Sequence, residues 1–131
     1  MKKIALIVVL FMTVLIFIFC VKPIRVYRHL DTAKGMFDKG IDQYVYGEYR
    51  QAIKTFEEIL EKFPDAEKER AWAQYEIGFC YFHLLDYDKA VEAFRKVLDE
   101  YTLRAPRVLA GRMIEKIRRG FTNKRSTYIE N

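Results

Sequence analysis

The chain opens on an apolar run of eighteen residues, Ile4 to Val21, that reads IALIVVLFMTVLIFIFCV and follows Lys2 and Lys3. As a helix rising about 1.5 Å per residue it is about 27 Å long, near the hydrocarbon thickness of a bilayer. A lone helix satisfies its own backbone groups, so such a segment can span without partners. Beyond Leu30 the pattern changes. Apolar residues recur three and four positions apart between short turn signals, with none of the alternation of a half-buried strand. The spacing predicts helices over Ala33 to Tyr46, Tyr49 to Phe63, Lys68 to Leu85, Tyr87 to Tyr101 and Arg104 to Arg119. Gly47, Pro64-Asp65 and Asp86 separate them, Pro106 fits a first helical turn, and Gly120 is placed to end the last helix. The expected organisation is therefore all-α: an anchor and juxtamembrane segment over 1–30, a helical domain over 31–120, and a basic flexible tail over 121–131.

Three fates are open to the apolar run: cleavage as a secretory signal, cleavage before Cys20 with acylation of that cysteine, or retention as a signal anchor. Signal peptidase needs small residues before its cut, and Phe17 to Pro23 offers bulky ones; Phe19 also stands where a lipoprotein signal wants Gly or Ala. Retention is the expectation, with an envelope lipoprotein as the alternative. Lys2 and Lys3 on one side nearly balance Lys22, Arg25 and Arg28 on the other, and a short lysine-headed tail favours an N-terminus inside and a domain outside. The expected location is a single pass through a bacterial inner membrane, with lipid contacted through residues 4–21.

Charge sharpens the division. Residues 1–30 hold five Lys/Arg and no acid, 31–100 ten against sixteen Asp/Glu, and 101–131 eight against two, so net charge runs +5, −6, +6. The overall basicity hides an acidic middle and makes no argument for nucleic acid. Cys20 and Cys80 form no disulfide framework within the domain, and Cys80 between aromatics reads as a small buried hydrophobe. His29 and His83 lack metal-ligand spacing, and no glycine-rich phosphate loop or nucleophile motif appears. No catalysis, cofactor or metal is expected.

Internal repetition is the strongest signal after the anchor. Gly40, Tyr49, Ala52 and Phe56 recur as Gly78, Tyr87, Ala90 and Phe94 at identical internal spacing. A small residue on one helix facing an aromatic on the next lets two backbones approach closely. With Ile77-Gly78-x-x-Tyr81 and Ala90-x-x-x-Phe94, the chain resembles the tetratricopeptide repeat family over residues 33–101, as two repeats followed by a capping helix. Ala52 and Ala90 stand 38 residues apart, longer than the usual ~34, because of the connection around Phe63-Pro64-Asp65. That connection is similar to those of the family's bacterial envelope branch, which scaffolds cell-envelope assemblies.

The resemblance implies a concave face lined by the first helix of each repeat, here Phe37, Ile41, Tyr44 and Val45, then Trp72, Tyr75, Phe79, Phe82 and His83. Rigid rings bury much area at small entropic cost and suit a peptide partner. The same rings could instead pack on the fifth helix, and both arrangements are open at this stage. The family's clamp for chaperone tails uses Lys and Asn where this chain has Phe37 and Ile41, so that activity is not implied. Arg104, Arg107, Arg112, Arg118 and Arg119 share a side of the last helix and form a second candidate surface, for anionic lipid or an acidic protein. A solvated helix face is the plain alternative. The expected function is a membrane-tethered protein–protein adaptor or small accessory scaffold subunit; a structural subunit bound through its apolar helix is a further alternative.

Overall fold

The computed structural model describes residues 11–13 and 30–129, with side chains as far as residue 120. Most of the expected anchor, including Cys20 and the juxtamembrane cations, lies outside the described residues. Among the described residues, no helix is long and apolar enough to cross a membrane.

The domain is all-helical: α1 (Ala33–Val45), α2 (Tyr49–Lys62), α3 (Glu67–His83), α4 (Tyr87–Glu100) and α5 (Arg104–Ile129). Short connections fold α1 with α2 and α3 with α4 into antiparallel hairpins, and α5 lies against α4. Thr32 opens α1 by accepting a hydrogen bond from the Gly35 amide, and Asp86 opens α4 by accepting from the Lys89 amide. The expected boundaries hold to within a residue or two except at the end of α5. Gly120 stops nothing, and the backbone continues helical to Ile129. Adding a residue to an existing helix is far easier than nucleating one, and a lone glycine costs about 1 kcal/mol, so without a proline the helix runs on.

Each hairpin closes on the same glycine–aromatic contact. A Cβ placed on Gly40 would lie 2.5 Å from Cε1 of Phe56, and one on Gly78 would lie 2.7 Å from Cε1 of Phe94. Both phenylalanines are fully buried. Around Phe56 gather Met36, Ile53, Ile59, Ile77 and Cys80; around Phe94 gather Tyr75, Val97, Ala110, Met113 and Ile117. Helix α3 contributes to both cores, so the two repeats share one hydrophobic body. Buried Gln74 is satisfied by donating to the Ala93 carbonyl at 3.2 Å.

The hairpin turns are also repeats of one another. Glu48 N donates to Gln43 O at 2.8 Å in the first, and Asp86 N to Tyr81 O at 3.0 Å in the second. This closure needs a left-handed residue just past the helix end. Gly47 fills the role in the first turn with φ +75°; in the second its counterpart is Leu85, with φ 62° and 70% exposed. A side chain in that region is strained by about 1–2 kcal/mol, and the exposed leucine recovers little of it by burial.

Three outcomes follow for the full chain in detergent, read by chemical denaturation of the helical signal. Gly78→Ala loses about 1–3 kcal/mol, because overpacking against Phe94 outweighs the better helix propensity of alanine. Gly111→Ala, where a Cβ meets nothing within 4 Å, gains up to about 1 kcal/mol. Leu85→Gly raises stability by roughly 0.5–1 kcal/mol by removing the left-handed strain; an unchanged or lower midpoint contradicts it.

Candidate functional site

Helices α1 and α3 touch, as do α3 and α5, whereas α2 and α4 do not. The first helices of successive hairpins therefore line the inside of the curve, and the expected groove residues lie on that side. The structure divides them. Tyr75 is buried at 9% exposure with its ring 5.5 Å from that of Phe94. Phe79 and Phe82 pack on the same core as Met113 and Ile117 of α5, and Lys116 lies 5.1 Å from the centre of the Phe82 ring. The fifth helix thus covers part of the aromatic surface.

What lies beyond it forms two stations. At the C-terminal ends of α1 and α3, the Tyr44 hydroxyl and His83 Nε2 are hydrogen-bonded at 3.0 Å. His83 stacks on Tyr49 at 5.1 Å, and Tyr44 lies 5.7 Å from Phe79. Burial raises the Tyr44 hydroxyl above its usual range. Ile41 is half-buried and packs inward on the first core, while Val45 is exposed.

At the other station, near the N-termini, α1 and α3 enclose a cavity of about 440 Å³ lined by Lys34, Phe37, Asp38, Lys68, Glu69, Trp72 and Glu76. Phe37 backs onto Phe56 at 5.5 Å and Trp72 meets Tyr75 edge-on at 5.9 Å, so core aromatics hold both walls in place. Glu76 is half-buried, and burial pushes its carboxyl up to about 7. The same burial, with the nearby Glu76 charge second, pushes the Cys80 thiol up to about 12, as befits an inert buried cysteine. Glu76 was absent from the sequence-based groove. The signal for it is the stripe Trp72, Glu76, Phe79, His83, in which one acid interrupts a row of rings at helical spacing.

The basic surface is reduced. Arg104, Arg112, Arg118 and Arg119 are exposed, with Arg119 paired to Glu115 at 2.7 Å. Arg107 turns inward and donates to the carbonyls of Leu98 and Tyr101, serving the carbonyl end of α4 rather than the surface. Arg70 similarly donates to the Pro64 carbonyl at 3.0 Å and sits over the Tyr101 ring, bracing the long connection.

The family model described as tetratricopeptide repeat matches residues 27–66 and 72–102. No curated protein and no solved structure matches the chain. The matched segments carry both glycine–phenylalanine contacts and both left-handed hairpin turns, so the agreement rests on the residues that make the fold. The chain belongs to the tetratricopeptide repeat family.

Proposed function

We propose that this protein is a membrane-tethered adaptor that holds a segment of a partner protein on the inner face of α1 and α3, as a small accessory subunit of a bacterial envelope complex. Repeats of this family bind other proteins and generally serve as non-catalytic scaffolds. The observation that carries the reading is the cavity between α1 and α3, lined by Phe37 and Trp72 on walls fixed by the core and by no residue of α5. A preformed aromatic recess costs little to organise when a peptide enters it. Tethering is supported by the uncharged run from Ile4 to Val21, and the outward orientation by the lysines ahead of it. Confinement beside the partner raises the effective concentration of a short binding surface.

A photo-crosslinking residue at Phe37 in the full chain captures a discrete partner in native membranes, whereas the same residue at Gln51, exposed on α2, does not. Trp72→Ala weakens the captured complex by at least about tenfold, the effect of losing one central aromatic anchor. Equal capture from both positions removes the groove from the reading. For orientation, fusions after Asn131 give alkaline phosphatase activity without green fluorescence; fluorescence alone would place the repeats in the cytoplasm.

A further inference from the structure

The carboxylate in the α1–α3 cavity has an environment that its neighbours do not share. Lys34 and Asp38, across from it on α1, pair with each other at 2.9 Å with side chains 77% and 57% exposed, so they form a rim and satisfy one another. Lys68 and Glu69 stand in the first turn of α3. Lys68 is two helical turns, about 12 Å, from Glu76 along the axis, and Trp72 lies between them on the same stripe. The other ionisable groups near Glu76 are Tyr44 of α1 and Tyr75 and Cys80 of α3, all of which are neutral at pH 7. Among the described residues, α2, α4 and α5 bring no charge to it, and it has no ion pair. Among the described residues, the recess therefore combines aromatic walls with one acid that has no ion pair.

We propose that this cavity receives the cationic side chain of a partner peptide, lysine or arginine, with Glu76 as the counter-charge and Phe37 and Trp72 as flanking rings. The inference rests on the adaptor reading and names the chemistry that the partner must bring. Ring faces attract a cation, and a carboxylate supplies charge-assisted hydrogen bonds; both strengthen where water is displaced. The volume suits one long side chain rather than a helix. A neutral aliphatic side chain would leave the carboxylate desolvated without a partner, and an acidic one would add repulsion, so the cavity discriminates by charge. With the Glu76 carboxyl pushed up to about 7, cation entry and ionisation support each other: the empty site is half-protonated near neutral pH, and a bound cation draws the proton off.

Trp72 is the single tryptophan of the chain, so its emission reports on this cavity alone. The experiment titrates the full protein in detergent with the blocked pentapeptide Gly-Ser-Arg-Ser-Gly, its lysine form, and the isosteric form carrying uncharged citrulline. Arginine or lysine peptide shifts the emission and saturates at about millimolar concentration, and citrulline binds at least about tenfold more weakly. Affinity for the cationic form rises about tenfold from pH 6 to pH 8 as the site ionises, and Glu76→Gln abolishes both the preference and the pH dependence. Glu76→Gln also raises the melting temperature at pH 8, because an acid whose pKa burial raises from 4.5 to about 7 costs stability increasingly above its unfolded pKa and in full above its folded one. Equal binding of arginine and citrulline forms, no saturation below about 10 mM, or unchanged affinity in Glu76→Gln overturns the proposal. Failure here with Phe37 crosslinking intact leaves the groove in place and removes only its preference for cations; loss of crosslinking removes both.

Discussion

The structure depends on two contacts in which a phenylalanine fills the space that a glycine leaves on the facing helix. Phe56 lies against Gly40 and Phe94 against Gly78 so closely that any Cβ would overlap the ring. Each contact sets the distance between the helices of its hairpin, and hence which further residues reach the core. Because α3 carries Gly78 on one side and Ile77 and Cys80 toward Phe56 on the other, the two hairpins cannot be spaced independently. The inner face inherits this constraint: Phe37 takes its position from Phe56, and Trp72 from Tyr75, which itself rests on Phe94. The cavity walls are thus one contact removed from the two rings that hold the fold.

Two hairpins are few for a solenoid, whose core forms between neighbouring units. The fifth helix answers part of that need. It places Ala110, Met113 and Ile117 on the second core and covers Phe79 and Phe82, and Arg107 occupies the carbonyls at the end of α4. Among the described residues, no helix covers the first hairpin as α5 covers the second, and Phe37 of α1 and Trp72 of α3 line the cavity between the two helices. The proposed partner site therefore lies between α1 and α3, at the end of the array away from α5.

Much of this was legible in the sequence. The helical order, the turns at Gly47 and Asp86, and the glycine–phenylalanine pairing all followed from periodicity and from the recurrence at a fixed offset. What escaped has specific physical causes. Gly120 looks like a stop because glycine favours left-handed turns, yet termination also requires something to compete with the next helical hydrogen bond, and the sequence just after it offers no proline to do so. Arg107 looks like one of a cationic row because its register matches its neighbours, but its direction is set by unpaired carbonyls at the end of a different helix. Leu85 gives no sign of a left-handed backbone until its turn is superposed on that of Gly47. Glu76 is hidden for the opposite reason: an acid in a helix normally points to water, and only the neighbouring helix α1 makes that direction a half-closed recess.

The same recess links stability to binding. Burying a carboxylate without a cation opposes folding at any pH above the group's unfolded pKa, and folding alone would favour glutamine or an aliphatic residue at position 76. Leu85 is a second departure of this kind, since glycine would relieve its turn. The two differ in what a partner could repay. An exposed leucine on a strained turn gains by covering apolar area, a gain that almost any apolar surface can provide. A half-buried acid gains only from positive charge delivered into a narrow aromatic space, a far more selective requirement. Of the two local strains on the fold, the one at Glu76 is therefore the one whose relief would be selective, and the rings beside it, Phe37 and Trp72, rest on core aromatics.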